Sequence, residues 1–151
     1  MKYGILILVF TLFISCKNDD NVDYTEQNEK EIKAYIEENN LTALKSPTGL
    51  YYVINDEGTG LRPTATSDVT VAYKGYFTDG NTFDESDANG ISFNLQQVIA
   101  GWTEGITYFK EGGNGILLVP SRLGYGDNGR ASIPGGAVLV FDINLLSVNQ
   151  N

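Results

Sequence analysis

The side chains of this sequence offer little acid–base or nucleophilic chemistry and a large supply of aromatic rings. Histidine is absent, and Cys16 is the single cysteine among 151 residues. Because histidine is the side chain most often used for proton transfer near neutral pH, its absence argues against a hydrolase. The rings of Phe83, Trp102 and Phe141 have two interpretations: they pack in an ordinary core, or they line an apolar ligand pocket.

Two polar residues carry a similar ambiguity. Asp84 follows Phe83 directly and could be a turn residue, since acidic side chains favour turns. Tyr125 stands between two glycines and could simply anchor a loop. Alternatively, one carboxylate and one hydroxyl would supply the few polar groups with which an apolar pocket orients its ligand.

One polar segment approaches a calcium-binding loop but lacks its required ends. Its residues near the ligand positions are Glu85, Asp87, Asn89, Gly90 and Gln96. Such a loop begins with Asp, ends with Glu and lies between two helices, and none of these conditions is met. We therefore predict no metal ion and no cofactor. The net charge of −9 also disfavours nucleic acid as a partner, because an acidic surface repels phosphate groups.

The first 24 residues have the pattern of an export signal followed by a tether. Lys2 supplies a positive charge, and residues 5–14 are apolar apart from Thr11. Such a run is too short to span about 30 Å of hydrocarbon but suits a signal peptide. Ser15 and Cys16 resemble the end of a bacterial lipoprotein signal. We predict a signal peptide over residues 1–15, lipidation of Cys16 and an acidic tether over residues 16–24.

These features predict a protein of the bacterial cell envelope, outside the cytoplasm and held to a membrane by a lipid on Cys16. The outer membrane is the expected membrane, and its periplasmic or surface face is left open. The alternative is an ordinary secretory signal with an incidental cysteine. The acidic residues 17–23 are either a plain linker or an export tag of the kind that some surface lipoproteins carry.

Residues 26–40 are predicted to form a helix within an extension that spans residues 25–45. Asp23 and Glu26 have the spacing of a capping box, and Ile32, Tyr35 and Ile36 recur at helical intervals. Because this apolar stripe is narrow, the helix is expected to pack on the following domain or to dock loosely. We expect it to be dispensable for that domain's pocket.

From residue 46 onward, the apolar residues follow a strand period with one helical interruption. Strands are predicted over residues 50–54, 69–77, 91–95, 115–119 and 137–146. Asp79-Gly80 is a hairpin-turn signal. Helical spacing returns at Ile99, Trp102, Ile106 and Phe109. The pattern predicts an α+β domain over residues 46–149, in which one short helix packs across a curved antiparallel sheet.

Several ordered blocks in this domain resemble FKBP-type peptidyl-prolyl cis-trans isomerases. They are VTVAYKGYFTDGNTFDES at residues 69–86, QVIAGWTEG at 97–105, VPSRLGYG at 119–126 and IPGGAVLVFDINLLSV at 133–148. Residues 46–68 resemble the first strand and turn of the macrophage-infectivity-potentiator-like branch of that family. The resemblance implies the FKBP fold, a half-barrel of antiparallel strands wrapped on one short helix.

Carried over position by position, the resemblance also implies a pocket. Trp102 would form its floor, and the Ile99 N–H and the Tyr125 hydroxyl would donate hydrogen bonds to carbonyl groups of the ligand. Asp84 would be the one ionisable group facing it. The implied catalytic residues are Tyr73, Phe83, Asp84, Ile99, Trp102, Tyr125 and Phe141, and the implied substrate-binding residues are Ile91 and Val98.

Three departures from the family pattern bear on catalytic strength and inhibitor affinity. Asn89 stands near a position where many members carry an arginine that pairs with the pocket aspartate, so Asp84 is expected to lack that partner. Ile91 replaces a frequent aromatic wall residue. Arg130-Ala131 stand where larger apolar or histidine side chains often cover the pocket.

The resemblance implies rotation about Xaa-Pro bonds of proline-containing polypeptides, assistance to the folding of exported proteins, and inhibition by macrolides of the FK506 class. Two alternatives stay open. The domain could bind proline segments or act as a chaperone without useful turnover, or the chain could be a structural lipoprotein that docks to a larger envelope complex.

Overall fold

The computed structural model describes residues 23–149, which form two α-helices and one antiparallel sheet of seven strands. The helices are α1 (Thr25–Glu38) and α2 (Ala100–Gly105). The strands are β1 (Leu44–Lys45), β2 (Tyr51–Asp56), β3 (Asp68–Tyr76), β4 (Thr82–Glu85), β5 (Ile91–Asn94), β6 (Asn114–Val119) and β7 (Leu139–Asn149). Within these residues no helix is long and apolar enough to cross a membrane.

The sheet is built around its two longest strands, β3 and β7, which pair with each other. The other side of β3 pairs with β5 along its first half and with β4 at its end. Beyond β7 the order continues through β6 and β2 to β1. The alternating residues predicted for β7 are all buried: Leu139, Phe141, Ile143 and Leu145. The predicted α+β fold with a curved antiparallel sheet is therefore confirmed.

Helix α2 packs against the sheet at close range. Three residues with the predicted helical spacing are buried in the main core: Trp102, Ile106 and Phe109. A Cβ at Gly101 would lie 2.6 Å from Val119 Cγ1, and one at Gly105 would lie 2.7 Å from Leu117 Cδ1. Glycine at both positions therefore lets the helix approach the strands. The α-helix is shorter than its apolar spacing suggested, because the chain continues as a 3₁₀ turn over Ile106–Tyr108.

Helix α1 packs on the opposite face of the sheet. Ile32 is 1% exposed and belongs to a second cluster with Tyr51, Leu118 and Val140. Leu118 lies next to Leu117 of the main core, and successive strand residues point to opposite faces. The three-residue stripe thus suffices for packing, because the strands present a matching apolar patch.

The predicted start and end of α1 are corrected by the structure. The N-cap is Tyr24, whose side chain makes no capping bond. Asp23 stands one residue too early for a capping box, and its Oδ1 accepts from the Thr25 N–H at 2.9 Å instead. The helix ends at Glu38 rather than Asn40, which takes a positive φ of 51°. The short strands β1 and β4 were not predicted, because neither has an apolar alternation.

Candidate active site

A cavity of about 500 Å³ opens at the N-terminal end of α2, beside β3 and β7. The structure places all nine sequence-predicted pocket residues around it: Tyr73, Phe83, Asp84, Ile91, Val98, Ile99, Trp102, Tyr125 and Phe141. Four further residues complete the lining: Phe93, Gln97, Gly124 and Arg130. The strands, α2 and two loops therefore converge on one site.

The base of the cavity is a set of rings in edge-to-face contact. The Trp102 ring centre lies 4.9 Å from that of Tyr73 at an interplanar angle of 87°, and 5.2 Å from that of Phe141 at 80°. Phe83 meets Phe141 at 5.5 Å and 89°. Such geometry is favourable for aromatic pairs and holds each ring in one orientation. The indole N–H of Trp102 is buried and has no hydrogen-bond partner within residues 23–149.

Strand register brings the rings together. Gly75 on β3 pairs with Phe141 on β7 and with Asp84 on β4. A Cβ at Gly75 would lie 2.8 Å from the Phe83 ring and 2.9 Å from the Phe141 ring. Any larger residue at this position would displace both walls, so the absence of a side chain at residue 75 makes room for the cavity.

The carboxylate of Asp84 has a partner that sequence reasoning did not find. It accepts a hydrogen bond from the Tyr73 hydroxyl, with an Oη to Oδ2 distance of 2.6 Å. Burial raises the pKa of Tyr73, and the bond to Asp84 raises it further, so the phenol stays protonated at neutral pH. The partner of Asp84 is therefore a tyrosine hydroxyl and not the arginine that many family members carry, and Asn89 lies in a turn and is not among the residues that line the cavity.

The two predicted hydrogen-bond donors come from different segments of the chain. Ile99 is the N-cap of α2 and has an extended backbone. Tyr125 follows the 3₁₀ turn Ser121–Leu123, and its hydroxyl makes no hydrogen bond to any residue that the structure describes. Both groups line the cavity. A ligand between them can use these donors without displacing a protein partner of the Tyr125 hydroxyl.

Arg130 is the cationic residue of the lining, on the loop that follows Tyr125. No carboxylate among the described residues lies within ion-pair distance of it. The resemblance indicated that Arg130 stands where family members cover the pocket, and the structure adds that this exposed arginine lines the cavity. Phe93 also lines the cavity but was not predicted from the sequence. Its position could have indicated this, because it stands two residues after Ile91 on β5 and residues two apart on a strand share a face.

Comparisons with known proteins agree with this geometry. The family model described as FKBP-type peptidyl-prolyl cis-trans isomerase matches residues 60–146. The Aeromonas hydrophila protein called FKBP-type peptidyl-prolyl cis-trans isomerase FkpA is 40% identical over 133 residues, which are 87% of this chain and 49% of that protein. The Escherichia coli K12 protein of that name is 45% identical over 105 residues, 68% of this chain and 39% of the relative. The chain thus spans less than half of these relatives.

Solved structures give the same result. The crystal structure of FkpA from Escherichia coli matches with a TM-score of 0.74 and 38% identity, over 82% of this chain and 60% of that one. A peptidyl-prolyl cis-trans isomerase from Pseudomonas syringae pv. tomato matches with a TM-score of 0.72 and 31% identity, over 83% of this chain and 96% of that one. The family match covers more than half of the sequence. The chain therefore belongs to the FKBP-type peptidyl-prolyl cis-trans isomerase family.

Proposed function

We propose that the chain is a peptidyl-prolyl cis-trans isomerase, and the observation that carries this proposal is the aromatic cavity above Trp102. Rotation of an Xaa-Pro bond breaks no covalent bond and moves no proton; its barrier is the lost amide resonance of the twisted state. A twisted amide is less charge-separated than a planar one. An apolar, ring-lined cavity therefore favours it over the ground state, provided that donors hold the flanking carbonyls.

The residues divide into three roles in this proposal. Trp102 supports the proline ring from below, and Phe83 and Phe141 enclose it. The Ile99 N–H and the Tyr125 hydroxyl bind carbonyl oxygens on either side of the rotating bond. Asp84 fixes the Tyr73 ring through their hydrogen bond. Ile91 and Val98 contact residues next to the proline.

A protease-coupled assay on an Xaa-Pro tetrapeptide tests the proposal. We expect the purified protein to accelerate exchange at catalytic concentrations, and a macrolide of the FK506 class to suppress it by occupying the same cavity.

The second candidate is binding of proline segments without turnover, which the open wall at Ile91 favours, since this side chain is 47% exposed. Saturable peptide binding with no acceleration would support that candidate.

We further propose that the protein assists folding of exported proteins from a lipid anchor at Cys16, on the outer membrane of a bacterial envelope. The support is the signal-like pattern of residues 1–16 and its resemblance to lipoprotein signals. These residues lie outside the described part of the chain. We also propose that the chain is related to the macrophage-infectivity-potentiator-like branch of the family. The alternative role is that of a structural lipoprotein that docks to a larger envelope complex.

A further inference from the structure

One buried polar residue outside the cavity lining connects helix α1 to a loop of the cavity wall. Asn28 is 1% exposed and lies on the face of α1 that packs against the domain. Its Nδ2 donates to the Gly136 carbonyl at 2.8 Å, and its Oδ1 accepts from the Ser121 N–H at 2.7 Å. Both ends of the amide are thus satisfied by backbone groups about a hundred residues away along the chain, as burial of a polar side chain requires.

The two backbone groups are the start and the end of one loop, which we call the wall loop (residues 121–136). Ser121 opens the 3₁₀ turn, and its carbonyl accepts from the Gly126 N–H at 2.7 Å. The Gly136 N–H donates to the Gly126 carbonyl at 3.0 Å. Between these ties lie three residues that line the cavity: Gly124, Tyr125 and Arg130.

Arg122 also ties the wall loop to the Thr48 carbonyl, but within residues 23–149 only Asn28 bonds to the Ser121 N–H and to the Gly136 carbonyl. Ser121 is 3% exposed and Gly136 is buried, so water cannot readily satisfy their backbone groups. A buried donor or acceptor left without a partner destabilises the local conformation that buries it. Tyr24, the N-cap of α1, also packs against this end of the wall loop. A Cβ at Gly136 would lie 2.2 Å from the Tyr24 ring, so only glycine fits there.

We propose that Asn28 is a positioning residue for the site: it holds both ends of the wall loop and thereby sets the place of the Tyr125 hydroxyl. Helix α1 then carries one residue, Asn28, on which the geometry of the site depends. This inference rests on the proposed isomerase function for its kinetic consequence, whereas its structural consequence can be measured without turnover.

The test compares Asn28→Ala with a matched control on the same helix, Ile32→Val. Ile32 is buried in the second cluster and makes no hydrogen bond to the wall loop, so its truncation weakens helix docking alone. For Asn28→Ala we expect kcat/KM for an Xaa-Pro tetrapeptide to fall by about fivefold or more, since two buried backbone groups lose their partner. Per folded molecule, Ile32→Val should retain the wild-type value.

Amide hydrogen exchange distinguishes a role of Asn28 in positioning the wall loop from a role in anchoring the helix alone. Protection of the Gly126 N–H should fall in Asn28→Ala and persist in Ile32→Val, because only the former frees the wall loop. Asn28→Ser puts a small hydroxyl in place of the amide and buries no charge, so it should lower the protection of Gly126 in the same direction. It also serves if Asn28→Ala does not fold.

Equal Gly126 protection and equal peptide affinity in both variants would overturn the inference and leave Asn28 as an anchor for the helix only. Should the wild-type protein show no isomerase activity, the proposed function fails. The inference is then decided by the exchange data together with peptide affinity, measured by titration of the tetrapeptide.

Discussion

At the residue scale, the candidate site combines the Tyr73 ring, which a hydrogen bond holds in place, with the exposed carboxylate of Asp84. Asp84 lies at the opening, and its short bond to the Tyr73 hydroxyl restrains a ring that touches Trp102. If Asp84 contributes to the proposed activity, it does so through Tyr73, through the ligand, or through both. The structure makes these routes separable, because Tyr73→Phe removes the same hydrogen bond and leaves the ring and the carboxylate in place.

Asp84→Ala should lower kcat/KM by about fivefold and leave the fold intact, because a net hydrogen bond is worth about 1 kcal/mol and Asp84 is exposed. Initial rates in the protease-coupled assay and thermal unfolding measure the two effects. If Asp84 acts only through Tyr73, then Tyr73→Phe reproduces the loss. A larger loss in Asp84→Ala would indicate direct contact with the ligand, and unchanged rates in both variants would refute the role of this pair.

Trp102→Ala should damage stability and turnover together, because the indole is 5% exposed and truncation of a buried aromatic residue costs roughly 3–5 kcal/mol. Trp102→Leu keeps much of the volume and removes a buried N–H that has no partner in the described part of the chain, so its stability loss should be smaller while turnover still falls. Urea unfolding and initial rates separate the effects. Full turnover in Trp102→Leu would show that the flat ring is not required below the proline.

At the element scale, helix α1 is tied to the sheet by a charged residue as well as by Ile32. Glu29 accepts hydrogen bonds from Lys45 Nζ at 2.8 Å and from the Tyr51 hydroxyl at 2.7 Å, and Lys33 lies 3.0 Å away. These contacts join α1 to β1 and β2. The packing of Ile32, Asn28 and Glu29 argues against the expectation that the helix is dispensable.

The ion pairs of Glu29 predict a pH-dependent stability. The hydrogen bond from Lys45 lowers the pKa of Glu29 from 4.5 to about 2, helped by Tyr51 and Lys33 against partial burial. Because the folded-state pKa is depressed, the stabilisation is present above about pH 4.5 and is lost as pH falls toward 2. Wild type should therefore unfold at a higher urea concentration than Glu29→Gln at pH 7. This difference should shrink as the pH falls from about 4.5 toward 2.

Glu37→Gln is the matched control, since Glu37 is an exposed residue of α1 without an ion pair among the described residues. It should leave the midpoint close to wild type at each pH. A difference between wild type and Glu29→Gln that stays constant from pH 7 to pH 2.5 would show that ionisation of Glu29 does not contribute.

At the scale of the whole molecule, the absence of histidine predicts how turnover depends on pH. No proton transfer limits amide rotation, and burial keeps the pKa of Tyr73 above its ordinary value. The rate should stay nearly flat between about pH 6 and 9, because histidine is the side chain that normally titrates there. Initial rates across this range at constant ionic strength provide the measurement. A steep profile centred near neutrality would contradict catalysis by loss of resonance.

The proposed anchor gives a second prediction at this scale. Cys16→Ser should move the protein from the membrane fraction to the soluble fraction, because it removes the site to which a lipid would be attached. Fractionation followed by immunoblotting measures the change. A variant that still sediments with membranes would show that lipidation is not the means of attachment.

Local patterns in the sequence determined most of the fold. The period of two in residues 137–146 predicted β7, and the helical spacing of Trp102, Ile106 and Phe109 predicted the segment that packs across the sheet. Both patterns follow from the geometry of a single element, so they are readable without its neighbours. The resemblance to the family then named nine residues that the structure brings to one cavity.

Only the tertiary structure decided which groups are partners. The bond between Tyr73 and Asp84, the place of Arg130 at the opening, and the contact of Asn28 with Ser121 and Gly136 all join different elements or loops. No periodicity encodes such contacts, because they depend on how loops of irregular conformation return to the sheet. The narrow apolar stripe of α1 therefore suggested that the helix is dispensable. In the structure, the buried side-chain amide of Asn28 ties the helix to the loop that carries Tyr125.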